Sequence, residues 1–167
     1  MHPTPSHHGV LANDLLSPAE VDLVLENARS LQRAAEAGEP GTSLRGRKLG
    51  LLSEADSDDA AVLFRRAAAG LGAHVALVRP SLTDLSTHEE VRHTALMLGR
   101  LYDAVECQGM SAALVRQVGA DAGVPVFDGL ACPGHPTSAL AALLDGETSA
   151  LDKRCFILQA VLLRTIA

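Results

Sequence analysis

The stretch Val124-Pro125-Val126-Phe127-Asp128-Gly129-Leu130-Ala131-Cys132-Pro133-Gly134-His135-Pro136-Thr137-Ser138-Ala139-Leu140-Ala141-Ala142-Leu143-Leu144 decides how this chain is read. A short apolar run, a turn rich in Gly and Pro, and a Pro-led apolar stripe describe a buried strand, a tight turn and a helix. In that order His135 stands at the mouth of a parallel sheet. Pro136 suits the first helical turn, where its missing N–H costs nothing, and the free amides there favour an anion.

The same alternation repeats upstream. Ser17-Pro18-Ala19-Glu20 is a capping box with Pro at the first helical position, and Val21, Val24, Leu25, Ala28 and Leu31 follow on one face to a stop near Gly38. Leu44 to Leu52 is a basic turn running into a strand covered on both faces. Ser53 to Asp59 is an acidic loop, and the pattern Val62, Leu63, Ala67, Leu71 is the helix after it. Further strands are expected at 74–78, 103–107 and 124–127, with helices at 88–101 and 111–119. Strands and helices alternating at this spacing predict an α/β fold with a parallel sheet of about four strands flanked by helices. Residues 1–13, with His2, His7, His8 and two prolines, look like a flexible terminus. Residues 14–167 form one domain, closed by a C-terminal helix over 150–166 that presents Leu151, Cys155, Leu158 and Leu162 to the core.

Composition narrows the function. The chain has 167 residues, enough for one ordinary core. Its net charge of −6 and its scarcity of aromatics argue against a nucleic-acid surface. Cys107, Cys132 and Cys155 are an odd set with no C-x-x-C, so neither a zinc site nor a disulfide framework is expected, and no cofactor or metal is assigned. There is no basic-then-apolar leader and no apolar run of bilayer length, so the expectation is a cytoplasmic protein without membrane contact.

The central stretch resembles the segment of the aspartate/ornithine carbamoyltransferase family in which His-Pro-x-Gln holds the carbamoyl group of carbamoyl phosphate. The resemblance extends outward. Leu44-Arg45-Gly46-Arg47 is similar to the family's Leu-x-Gly-Lys before its first strand, and Leu71-Gly72-Ala73-His74 to its Leu-Gly-Gly-His. Pro80-Ser81, Asp103-Ala104, Val124-Pro125-Val126 and Gly129-Leu130 also stand where the family has them. The run 150–163 resembles the family's returning C-terminal helix in Arg154, Gln159, Ala160, Leu162 and Leu163. The second, amino-acid-binding domain is missing between the two. By resemblance the fold is the carbamoyl phosphate domain, and the assembly is a homo-oligomer, a trimer.

At the chemical positions the sequence departs from the family. Its phosphate loop Ser-Thr-Arg-Thr-Arg is matched by Ser57-Asp58-Asp59-Ala60-Ala61. The arginine after the third of the strands above falls at Gln108, and the Gln of His-Pro-x-Gln at Ser138. Two like charges at ~4 Å near a surface repel by roughly 4 kcal/mol, so aspartate in place of arginine opposes phosphate. The expected ligand-binding set is therefore Ser57, Asp58, Asp59, Gln108, His135 and Ser138, with His135 catalytic only by resemblance and the ligand a small anion or cation. Two readings of the acidic loop stay open: capping residues at a helix start, or a pocket in which Asp58, Asp59 and His135 take an amine or a hydrated divalent cation. The expected function is a stand-alone carbamoyltransferase-like domain with a degenerate site, acting by ligand binding or assembly. The alternatives are a component of an amino-acid carbamoylating enzyme completed by another chain, with apolar surface near Leu143 and Leu144, or a regulatory subunit of a full-length carbamoyltransferase.

Overall fold

Residues 10–11, 17–55 and 57–166 are described by a computed structural model of the chain. In order they form β1 (Val10–Leu11), α1 (Pro18–Glu36), β2 (Lys48–Leu52), α2 (Asp59–Gly70), β3 (His74–Val78), α3 (His88–Leu101), β4 (Ala104–Cys107), α4 (Ala112–Ala122), β5 (Val126–Asp128), a 3₁₀ helix (Pro136–Leu143) and α5 (Ala150–Ile166). The sheet is parallel in every pairing, with order β1-β5-β4-β2-β3. The chain steps from β2 outward to β3, then crosses back to lay β4 on the other side of β2. The carboxyl ends of β2 and β4 therefore flank the point where the winding reverses, which is where open α/β sheets form a ligand crevice.

Local chemistry explains the elements. Ser17 Oγ accepts from Glu20 N at 3.3 Å and Glu20 Oε2 accepts from Ser17 N at 2.8 Å, completing the capping box that starts α1. Thr87 and Glu90 repeat the device at the start of α3. Four of the five residues of β2 and all of β4 are buried, as strands covered on both faces require. Helices α2 and α5 cover one face through Phe64, Ala67, Leu158 and Leu162. Helices α3 and α4 cover the other through Ala95, Leu98, Val115 and Val118. Each fully buried Leu, Val or Phe contributes about 1.5–3 kcal/mol of transfer free energy.

Four expectations change. The sheet has five strands, because Val10–Leu11 pairs with Val126–Phe127 in the segment read as a flexible terminus. Two residues are too few to show a period, yet they cover an edge that would otherwise stay open. His2, His7 and His8 lie outside the described residues. The run after His135 is a 3₁₀ helix rather than an α-helix. Only Thr137 is fully buried in it, while Leu140 and Ala141 pack part-buried against the cluster between α1 and α5. On α5, Cys155, Leu158 and Leu162 are buried as expected, but Leu151 is 57% exposed because it stands in the first turn beside an open groove. Strand β5 and helix α4 run later than their sequence ranges, to Asp128 and Ala122.

Helices α3 and α4 approach through Gly99, where an added Cβ would lie 1.8 Å from the Ala122 carbonyl oxygen. Overpacking of this kind costs about 1–3 kcal/mol. Gly99→Ala is therefore expected to lower the unfolding free energy by that amount, read as a lower urea midpoint with the m-value unchanged.

Candidate functional site

The carboxyl ends of β2, β4 and β5 deliver the candidate residues to one end of the sheet. Strand β4 carries Glu106 into the interior, where it has no exposed surface. The turn after β5 is made possible by Gly129, whose φ of 64° lies in the left-handed region. That turn aims the backbone N–H groups of Leu130 and Ala131 at Glu106 Oε1 and Oε2, at 2.9 and 3.0 Å. Gln108 is buried, and its Nε2 donates to Glu106 Oε2 at 3.4 Å. Burial pushes the Glu106 carboxyl up to about 7 against the pull of the Ala131, Leu130 and Gln108 donors, and the nearby Asp128 adds to the rise.

From α5, Arg154 reaches the same turn. Its Nη2 donates to the Leu130 carbonyl at 2.6 Å and its Nη1 to Thr137 Oγ1 at 3.1 Å. The Thr137 hydroxyl lies 2.9 Å from His135 Nδ1, which also accepts from the Thr137 backbone N–H at 3.2 Å. Because Nδ1 accepts, the proton of the neutral imidazole sits on Nε2. Arg154, Thr137 and His135 thus form one chain of donors. Burial lowers the Arg154 pKa and Glu106 works against that, yet a guanidinium stays charged at any ordinary pH.

The predicted set divides. Ser57, Asp58 and Asp59 are exposed at the start of α2. Asp58 occupies the N-cap position with no side-chain capping bond, so the capping reading holds for its backbone and not for its carboxylate. Asp59 and Ser138 line a groove of about 580 Å³ between α2, the 3₁₀ helix and α5. His135 lines a separate cavity of about 270 Å³ with Val24, Phe127 and Arg164. Gln108 is committed to Glu106. Among the described residues no three His, Cys, Asp or Glu side chains could hold a metal ion together, so Asp58, Asp59 and His135 do not gather as metal ligands. Near the join expected to be apolar, Leu143 is 52% exposed and Leu144 is buried.

Cysteine chemistry is suppressed here. Burial pushes the Cys107 thiol up to about 12, with Glu106 and Asp128 adding to it, and raises Cys132 in the same way. Neither carries the thiolate a nucleophile needs. Three residues central to this network, Glu106, Thr137 and Arg154, were outside the predicted set. Glu106 had a signal, a carboxylate inside the buried strand Val105-Glu106-Cys107. Arg154 had a weaker one, a cation within the apolar run of α5, and Thr137 had none.

The folded carboxyl of Glu106 holds its proton more tightly than the unfolded one, which titrates from 4.5. Between those values the folded state carries more protons, so stability falls as pH rises from about 4.5 to 7 and levels off above. The full shift corresponds to on the order of 3 kcal/mol. Urea unfolding at pH 5 and pH 8 is expected to show this loss in the wild type and its absence in Glu106→Gln, which is itself weaker at pH 5 because an amide accepts only one of the two N–H groups.

Comparison with known proteins places these features. Residues 9–146 match the family described as aspartate/ornithine carbamoyltransferase, carbamoyl-P binding domain. The ornithine carbamoyltransferase of Actinobacillus pleuropneumoniae serotype 5b (strain L20) is 38% identical over 125 residues, covering 75% of this chain and 37% of that protein. The catabolic ornithine carbamoyltransferase of Mycoplasma capricolum subsp. capripneumoniae is 37% identical over 131 residues, covering 78% and 42%. The solved ornithine carbamoyltransferase from Pyrococcus furiosus superposes with a TM-score of 0.64 at 28% identity, over 80% of this chain and 45% of that one. The chain spans less than half the length of these relatives.

Proposed function

The chain belongs to the aspartate/ornithine carbamoyltransferase family through its carbamoyl-phosphate-binding domain, and we propose that it is a form of that domain which has lost carbamoyl phosphate and acts by binding another ligand or by assembly. The observation that carries this reading is the charge at the start of α2. Asp58 and Asp59 stand exposed at the helix N-terminus, where the resemblance puts the residues that hold phosphate. Their carboxylates already complement the helix dipole, so an incoming phosphate meets repulsion instead of a cation.

The rest of the site supports the same reading. Gln108 stands where the resemblance puts an arginine, and its side chain is turned inward to Glu106. Ser138 stands at the Gln position and lines a different cavity from His135. His135 keeps its place at the start of the 3₁₀ helix, but its Nδ1 is occupied by Thr137. Self-association, as a trimer by resemblance, is part of the proposal. No helix among the described residues is long and apolar enough to cross a membrane.

A ligand of the folded state at a hundred times its dissociation constant adds ~2.7 kcal/mol of stability. Millimolar carbamoyl phosphate is expected to leave the melting temperature unchanged, and neither ornithine nor aspartate to elicit phosphate release above background. A carbamoyl-phosphate-dependent rise in melting temperature would restore the transferase reading.

A further inference from the structure

Glutamine on a helix is mostly exposed, yet Gln32 on α1 and Gln159 on α5 are each only 7% exposed. Both border one cavity of about 620 Å³, set between the end of α1, the loop before β2, the end of α2 and α5. Helices α1 and α2 end where β2 and β3 begin, so this cavity opens at the amino ends of the strands, opposite the crevice described above.

The direction of both carboxamides is fixed by their partners. Gln32 Nε2 donates to the Asp145 carbonyl at 2.9 Å and to Thr148 Oγ1, and Gln159 Nε2 donates to the Ala67 carbonyl at 3.1 Å. A backbone carbonyl only accepts, so the NH₂ groups must take these places and each Oε1 the other side of its amide. Among the described residues neither oxygen accepts a hydrogen bond, and neither is sealed from solvent. Two open acceptors on side chains that are otherwise buried mark the cavity as a place for a donor.

The surrounding charge has the matching sign. Arg66 and Asp152 line the cavity but pair with each other, which leaves the carboxylates of Glu36 and Glu39 to set its potential. The carboxyl-terminal ends of α1 and α2 add partial negative charge. Leu31 and Phe156 supply apolar wall, which favours an organic cation over a hydrated metal ion.

We infer that this cavity binds a primary alkylammonium group, its N–H groups donating to the open oxygens of Gln32 and Gln159, its charge balanced by Glu36 and Glu39, and its aliphatic stem against Leu31 and Phe156. The inference goes beyond the loss of carbamoyl phosphate, because it concerns the opposite end of the sheet and a different set of residues.

The test is titration of the full chain with n-butylammonium at pH 7, followed through the side-chain amide resonances of Gln32 and Gln159. Both are expected to shift and saturate together. Tetramethylammonium has the charge without an N–H, and ammonium has the N–H groups without a stem; each is expected to bind at least about tenfold more weakly. Butyrate is expected to leave both resonances in place. Gln159→Met would also strip the Ala67 carbonyl of its donor, so Glu36→Lys combined with Glu39→Lys, at exposed positions, carries the mutational test. The double variant should weaken n-butylammonium about fivefold or more. No shift with n-butylammonium, equal affinity for tetramethylammonium, saturation of the same resonances by Mg²⁺ or butyrate instead, or indifference to the double variant would overturn the assignment.

Discussion

The peptide of Leu130 is held from both sides of the molecule. Its N–H donates to Glu106, rooted in the central strand β4, and its carbonyl accepts from Arg154, rooted in α5. Leu130 and Ala131 are nearly inaccessible to solvent, so their N–H groups have no water to turn to, and each would cost about 1–3 kcal/mol if left unpaired. One carboxylate satisfies both. The turn after β5, the start of the 3₁₀ helix and the first half of α5 are thereby tied to the sheet through two buried side chains of opposite charge.

That arrangement accounts for the character of the site. Glu106 and Arg154 spend their charges on backbone groups within the turn. What remains facing outward at the crevice is acidic: Asp58 and Asp59 at the start of α2, with Asp128 at the end of β5 near enough to raise the pKa of Glu106, Cys107 and Cys132. On the proposed reading, the end of the sheet that the resemblance makes an anion site is biased against one here.

Much of the fold was legible in the sequence because its signals are local. The capping box at Ser17 and Glu20, the apolar face of α1, the helix over His88–Leu101 and the strand over His74–Val78 each follow from neighbours a few residues apart. Elements fixed by distant partners were not legible. Strand β1 exists through its ladder with Val126 and Phe127, more than a hundred residues away, and two residues carry no period of their own. The 3₁₀ winding of Pro136–Leu143, whose Leu140 and Ala141 pack part-buried against α1 and α5, is not announced by an Ala- and Leu-rich sequence. Of the site, the replaced positions Asp58, Asp59, Gln108 and Ser138 could be named in advance from the resemblance. The split of His135 from Asp59 and Ser138 into separate cavities could not, because it depends on side-chain direction. Glu106 and Arg154 meet at Leu130 only after the sheet and α5 have come together.

Amide hydrogen exchange at Leu130 and Ala131 tests the Glu106 clamp most directly. If it organises the turn, these two amides exchange as slowly as the core amides of β2 in the wild type. In Glu106→Leu they should become fast while Leu49 and Leu51 stay protected. Fast exchange at Leu130 and Ala131 in the wild type, or protection that survives Glu106→Leu, would contradict the account.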